Sequence, residues 1–410
     1  MEVLYQRCAG IDVSKTDAKV CVRWGPGAQD HEVRTYGATR AEILRMRGDL
    51  EAAGAQMVGM ESTGDYWKPV HYVLEETLPM MLINARDSKH VPGRKTDVSD
   101  AVWIAELVAH GLVNGSFVPL EPIRQLRDLT RARAHLVQEK VREYSRIEKI
   151  LEDAGIKLSA KVSSLRTRTA RDMLAALAAG QSDPQVLAGL ARAGNKTTRA
   201  EFVDALTGSF TSHHAYMVGF HLGNLTHLET AEHDLQTRIE EVIAPFCSAR
   251  DLISTIPGFS NHNAESIIAE IGVDMSVFPT VKHLASWAGV APTQNQSAGH
   301  TGPTPTSHGD HYLKAALGIA ALSVARSNNT RLAMRYHRQA RQMGKLKALV
   351  ALERILLIII YNMLNDGVAY QELGTDYYDR RPHPDQLKKN ALKTLHQLGY
   401  QVELTPTQAA

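Results

Sequence analysis

The apolar residues of this chain change period near residue 115, and that change divides what it can fold into. Up to that point, residues 6–13, 18–24, 32–36, 56–61 and 78–84 are short apolar or β-branched runs of strand length. Between them, residues 39–53 place Ile43, Leu44, Met46 and Leu50 at roughly helical spacing, and 66–76 and 98–110 read as further helices. The turn chemistry of Ser14-Lys15-Thr16-Asp17 joins the first two strands as a hairpin. The order is three strands, helix, strand, helix, strand, helix. An antiparallel start followed by alternating elements predicts a mixed sheet flanked by helices.

Beyond residue 120 the strand signals vanish. Leu126, Thr130, Ala134, Val137, Val141, Tyr144, Ile147 and Leu151 step by threes and fours, which predicts a long helix with a coiled-coil-like seam. Leu225, Leu228, Ala231, Leu235, Ile239 and Val242 supply the stripe of a returning helix over 222–243. A helical insert rich in Ala, Ser and Gly lies between them. Residues 251–370 read as a third, mostly helical unit that contains a Gly/Thr/Pro/Ser/His-rich loop at 292–311, and 371–410 as a tail. The expected organisation is therefore an α/β domain at 1–115, a helical coiled-coil region at 120–250, a helical C-terminal domain at 251–370 and the tail. The element order of the first domain is that of the ribonuclease-H-like fold.

Bulk composition narrows the class without deciding it. A formal net charge of +2 over 410 residues does not mark a nucleic-acid binder, so any basic surface must be local. Cys8, Cys21 and Cys247 form neither a CxxC pair nor an even framework, which fits a reducing compartment. No secretion signal is apparent at the start, and the apolar stretch 348–364 is broken by Glu353 and Arg354, so it reads as a buried helix. The expected location is the cytoplasm, with no membrane partner.

Four acids stand where this element order brings chain ends together. Asp12 lies near the end of the first strand in GIDVSK, and Glu61 ends the fourth in GMESTGDYW. Asp97 and Asp100 lie in RKTDVSDAVWIAEL, where the i, i+3 spacing puts both on one face at a helix start. If the first and fourth strands are neighbours, the four side chains can converge. Such a cluster suits a hard cation: Mg²⁺ (or Mn²⁺) takes oxygen ligands, and paired ions clamp the attacking and leaving oxygens of phosphoryl transfer. Three of the acids also have a simpler reading. Asp97 is a natural helix cap, Asp100 complements a helix dipole, and Asp12 opens a turn.

GIDVSK, ESTGDYW and KTDVSDA resemble the three N-terminal motifs of the DEDD-type insertion-sequence transposases. The resemblance covers most of residues 8–115 and 251–370, with the middle matched only in helical character. It implies a RuvC-like N-terminal domain whose metal-binding acids are Asp12, Glu61, Asp97 and Asp100. It further implies a C-terminal transposase domain whose nucleophilic serine follows a segment like ASWAGVAP, which places that role on Ser297 in QSAGHTG. Recombination through a covalent serine–DNA intermediate, guidance by a bridge RNA, and dimers or tetramers with composite sites are also implied. Read from the residues alone, Ser297 is ordinary loop chemistry; Thr293, Thr301 and Ser307 are competing hydroxyls, and His300 is a neighbouring candidate helper. The chain departs from the family where relatives carry a basic residue before a Gly and a helix beginning like LRRAL. Here Ser307-His308-Gly309-Asp310 precedes Leu313-Lys314-Ala315-Ala316-Leu317, so His308 is left to stand in.

Two further features bear on nucleic acid. Ile256-Pro257-Gly258-Phe259 with the run at 267–272 resembles a helix-hairpin-helix, whose Gly turn (Gly258) exposes backbone N–H groups to phosphate; an ordinary tight turn reads the same way. Arg331, Arg335, Arg338, Arg341, Lys345 and Lys347 form a basic run without an acid, with Tyr336 and His337 available to stack. A second run, from Arg124 to Lys149, is mixed with acids and equally suits a helix seam. The reading that assembles these parts is a metal-dependent transposase acting on donor and target DNA with a non-coding guide RNA. Its rivals are a resolvase-like endonuclease, which needs the acids but not Ser297, and a scaffold that needs neither.

Overall fold

The computed structural model describes residues 3–25, 27, 30–62, 64–84, 100–293, 296–297, 300–302, 305–375 and 384–402. Two compact units divide the chain, Met1–Val118 and Pro119–Ala410.

The first unit is built on β1 (Cys8–Val13), β2 (Asp17–Arg23), β3 (His31–Gly37), β4 (Met57–Glu61) and β5 (Met80–Ile83), with helices α1 (Arg40–Ala52), α2 (Trp67–Leu74) and α3 (Asp100–Ala109). The strands lie in the order β3-β2-β1-β4-β5. β1 pairs antiparallel with β2, and β2 with β3, while β1–β4 and β4–β5 are parallel. The element order read from the sequence is therefore the observed one, and it fits a ribonuclease-H-like domain. Helices α1 and α2 cover one core, in which Ile43, Met46, Leu50, Val70 and Leu74 meet Ile11, Val20, Val58 and Met60. Helix α3 closes a second core with Ile83, Ile104, Leu107 and Val108.

Helix α3 lies directly on the backbone of β1. A Cβ added to Gly10 would stand 2.2 Å from the Ala101 carbonyl oxygen and 2.3 Å from the Ala105 nitrogen. Neither atom can retreat without shifting the helix. Gly10→Ala is thus expected to lower unfolding stability by about 3 kcal/mol, read as a fall in urea midpoint at unchanged slope. An unchanged midpoint would contradict this packing.

Among its described residues the second unit is helical apart from one short hairpin. Its spine is α4 (Glu121–Asp153). After it come α5 (Arg168–Ala178), α6 (Pro184–Gly189) and α7 (Arg199–Leu206). The chain returns along α4 as α8 (Ser212–Ile243), which begins ten residues before the expected 222 because Thr211 and His214 form a capping box. The insert between the two long helices has its own core, with Met173, Leu174, Leu187 and Phe202 packed on Tyr144, Ile147, Leu151, Val218 and Leu225.

The seam between α4 and α8 departs from the expected stripe. Val137 and Val141 are 39% and 44% exposed. The face turned inward runs through Leu126, Thr130, Arg133, Tyr144, Ile147 and Leu151. Its middle is polar: Arg133 donates to Gln236 (2.6 Å), Lys140 pairs with Glu232, and Glu143 accepts from His221 (2.6 Å). A search for apolar residues passes over Arg133 and Lys140, although both keep the alternating three- and four-residue step of a heptad. The partners run in opposite order along the two helices, so α4 and α8 are antiparallel.

The rest of the unit comprises α9 (Cys247–Ser254), α10 (Asn261–Ile271) and α11 (Val281–Trp287), then hairpin strands β6 (Gln296–Ser297) and β7 (His300–Thr301). Helices α12 (His311–Arg326), α13 (Arg331–Met343), α14 (Lys345–Asp366) and α15 (Pro384–Gln397) follow. Helix α14 has the length and apolar character of a membrane span. It nevertheless buries Ala348, Leu352, Leu356, Leu357, Ile360 and Met363 within the unit, as the core-helix reading expected.

Candidate metal centre and serine hairpin

The acids are placed by strand register. The last β1–β4 pair is Ile11 with Met60, so Asp12 and Glu61 each stand one residue past it, at the same end of two neighbouring parallel strands. Side chains two residues apart share a sheet face. Asp12 therefore shares the face of Gly10, which meets α3, and Glu61 shares that of Gly59, whose added Cβ would touch Val108 and Ile104 of α3. Helix α3 runs antiparallel to β1: Ala105 accepts the Cys8 thiol at 3.5 Å, and Ala109 accepts the Leu4 amide at 2.8 Å. Its N-terminus, where Asp100 is the first residue, thus lies toward Asp12.

The electrostatics agree with this placement. The Asp12 carboxyl titrates above its ordinary value, first because it is half buried and then because the Asp100 and Glu61 carboxylates repel its charge. Asp17 adds to the repulsion. Lys19, paired with Asp12 across β1–β2, opposes it. Three of the four acids expected from sequence are therefore gathered, and the fourth, Asp97, lies outside the described residues. Lys19 is an addition that the sequence could have supplied, since the Ser14–Asp17 turn fixes the register that puts it opposite Asp12.

An all-carboxylate donor set is the chemistry that a hard divalent cation takes. Among the described residues no group of three His, Cys, Asp or Glu side chains is disposed to hold one ion. What the described trio provides is mutual repulsion at one sheet edge, which a cation would relieve.

Ser297 sits in the second unit, on the β6–β7 hairpin, with its backbone paired to His300. The foot of this segment is closed by the Pro292–Thr306 bridge. There the Thr293 amide and hydroxyl both donate to the Pro305 carbonyl, at 3.0 and 2.7 Å. Below it, Gly289 (φ +69°) meets Gly309 so closely that a Cβ on Gly309 would lie 2.3 Å from the Gly289 nitrogen. Two of the competing hydroxyls have structural partners: Thr293 on Pro305, and Ser307 on the Ser286 carbonyl at 3.5 Å. His308 is exposed, whereas the side chains of Ser297, His300 and Thr301 lie outside the described residues.

Three arginines of the mixed basic run on α4 are structural. Arg127 donates to the Ala269 and Glu270 carbonyls. Arg131 grips the Glu270 carboxylate at 2.8 and 2.7 Å, reaches Asp310 at 3.2 Å, and lies 4.2 Å over the Tyr312 ring. Arg133 pairs with the buried Glu265. Gly258 (φ +90°) is fixed by packing, because its Cβ would lie 3.0 Å from the Val324 nitrogen of α12.

The unmixed run is different. Arg331 to Arg341 lie on α13, and Lys345 and Lys347 begin α14. Arg338, Arg341, Lys345 and Lys347 are exposed. The Tyr336 and His337 rings stand edge to face at 5.2 Å.

Comparison with known proteins covers both candidate sites. A transposase family model matches residues 9–156, and the model of the transposase IS116/IS110/IS902 family matches residues 250–337. The 43.6 kDa protein of insertion element IS110 from Streptomyces coelicolor is 29% identical over 152 residues, 35% of this chain and 36% of that protein. The 42 kDa protein of insertion element IS900 from Mycobacterium paratuberculosis is 27% identical over 331 residues, 72% of this chain and 79% of that protein. The pilin gene-inverting protein of Moraxella bovis is 30% identical over 125 residues, 30% of this chain and 38% of that protein. The matched segment thus spans about a third of the IS110 and pilin relatives and most of the IS900 one.

Proposed function

We propose that this chain, which belongs to the DEDD-type insertion-sequence transposases, excises and inserts its element by cutting and rejoining DNA strands. The observation that carries this reading is the placement of Asp12 and Glu61 at the same end of two neighbouring strands, with Asp100 within electrostatic reach of Asp12. Their domain is ribonuclease-H-like in our reading. Asp12, Glu61, Asp97 and Asp100 would hold Mg²⁺ or Mn²⁺. When bound, the cation offsets charge on the phosphate oxygens and favours loss of a proton from the nucleophile.

Ser297 supplies that nucleophile. Its hydroxyl oxygen bonds to phosphorus, and the bond from phosphorus to a sugar oxygen breaks. The leaving sugar oxygen takes up a proton in exchange for the one the serine gives up. A sugar hydroxyl from the second DNA then attacks the serine ester and restores both groups. Each exchange conserves one phosphodiester, so no external energy source is needed. The hairpin setting supports this role by pairing the Ser297 backbone with His300 above a closed foot. The action named for the Moraxella protein, gene inversion, is also strand exchange, which favours recombination over hydrolysis.

Donor and target DNA, and a non-coding bridge RNA that selects them, are the partners in this reading. The chain works in the cytoplasm as a dimer or tetramer, with α4 and α8 as the coiled-coil element and residues 251–370 as the transposase domain. The exposed end of α13 and start of α14 bind phosphate without reading sequence. Replacing Arg341, Lys345 and Lys347 by Ala should weaken nucleic-acid binding similarly for all sequences. The slope of log affinity against log salt should fall by about 2 to 3. An unchanged slope would remove this surface from the interface.

The function is tested by incubating the protein with element-end DNA, the adjoining non-coding RNA and Mg²⁺, then trapping covalent adducts. Adduct formation should be lost in both Ser297→Ala and Asp12→Ala. Cleavage that persists in Ser297→Ala would instead assign a resolvase-like hydrolysis.

A further inference from the structure

Outside the two sites, one buried acid is chemically out of place. Glu353 lies in the apolar core of α14 at 5% exposure. Its Oε2 is buried without a hydrogen-bond partner. Oε1 faces α12 at Gly318, where an added Cβ would stand 3.5 Å from it. Gln would fill the same volume without a charge to desolvate, so the packing does not explain an acid here.

One turn before Gly318 on the same helix stands Lys314, whose positive charge opposes the upward push that burial gives the Glu353 carboxyl. Its ammonium donates to the Thr306 hydroxyl at 2.9 Å. Thr306 is the residue that pairs with Pro292 to close the foot of the serine hairpin. A half-buried ammonium on α12 therefore stands between a buried carboxyl on α14, which it reaches electrostatically, and the base of the hairpin, to which it donates. The ammonium and the carboxyl both rest on core helices, since α12 buries Leu313, Ala316 and Leu317 around Lys314, and α14 buries Leu352, Leu356 and Leu357 around Glu353.

We propose that Lys314, which donates to Thr306 one turn from where Glu353 packs on α12, is a positioning residue that fixes the foot of the hairpin carrying Ser297. Lys314 acts through Thr306 and not on DNA. The assignment of a catalytic consequence rests on the Ser297 reading above; the mechanical part does not. The ammonium has one acceptor, the Thr306 hydroxyl, and beyond it feels the field of the buried Glu353 carboxyl. Removing either influence is expected to loosen the loop while leaving the helices intact.

The test uses the full-length protein with its nucleic acids. Single-turnover adduct formation and DNA affinity are measured separately for Lys314→Met, Lys314→Arg, Thr306→Val and Glu353→Gln. Lys314→Met is expected to slow adduct formation about 10²-fold, the cost of misplacing a reacting group by about 1 Å, with DNA affinity within about twofold. Lys314→Arg should recover most of the rate. Thr306→Val, which lies on neither core helix, should reproduce the defect and covers the case in which Lys314→Met fails to fold. In parallel, the Thr293 amide should exchange hydrogen faster in Lys314→Met, Thr306→Val and Glu353→Gln without DNA present. Normal rates and normal exchange in Thr306→Val and Glu353→Gln would overturn the proposal. Adducts that persist in Ser297→Ala would instead sink the parent reading, and the exchange result would still decide whether Lys314 holds the loop.

Discussion

Asp12→Asn should abolish divalent-cation-dependent strand cleavage while leaving the first unit at least as stable as before. The expected loss is about 10³-fold or more, since the charge stabilisation a bound cation supplies is worth several kcal/mol and each ~1.4 kcal/mol is a decade in rate. Stability should move the other way. Asp12 is half buried and its carboxyl is raised by Asp100 and Glu61. The folded state thus holds its proton more tightly than the unfolded one, and that advantage is lost as pH rises through the folded value. At neutral pH the ionised acid is a burden, which Asn lifts. Thermal melts with and without Mg²⁺ separate the effects. Cation should raise the wild-type midpoint and leave that of Asp12→Asn nearly unmoved. An equal cation-induced rise in both proteins would remove Asp12 from the binding site.

Glu353→Gln should show the largest pH-dependent gain in stability. Burial pushes the Glu353 carboxyl from an ordinary 4.5 up to about 7, with Lys314 opposing the shift only in part. The neutral acid is the form the core accepts. Its contribution is complete below about pH 4.5 and is lost as pH rises through about 7. A rise of about 2.5 units corresponds to about 3 kcal/mol. Urea unfolding curves should therefore nearly coincide for wild type and Glu353→Gln at pH 5 and separate by about 3 kcal/mol at pH 8, with the variant the more stable. The same difference at both pH values would mean that the carboxyl is not buried in the folded chain. A gain in stability that comes with slower adduct formation is the signature of a residue kept for the loop and not for the core.

The fold of the first unit was legible because its signals are local and agree with each other. Strand runs, helical spacing and the Ser14–Asp17 turn fix the element order, and a parallel β1–β4 pair follows once the antiparallel hairpin is placed. The placement of Asp12, Glu61 and Asp100 was legible for the same reason, since each stands at or near a strand end or helix start. The α4–α8 seam was only half legible. Its polar middle is satisfied by partners about a hundred residues away, as with Arg133 and Gln236, and no local pattern encodes them. The role of the α4 arginines was hidden likewise: Arg131 is claimed by Glu270 and Asp310, both distant in sequence. Ser297 gives no physical signal of its own in sequence, and its assignment comes from its place after ASWAGVAP. Lys314 could be noted as the basic residue at a helix start, yet only the fold brings it to Thr306.

The central claim is that DNA passes through a covalent bond to the hairpin serine. Digesting the trapped protein–DNA adduct and sequencing the modified peptide by mass spectrometry tests this most directly. The phosphodiester remnant should sit on Ser297, within the peptide that contains QSAGHTG, and only when Mg²⁺ was present. A remnant on any other residue, or complete cleavage with no remnant, would contradict it.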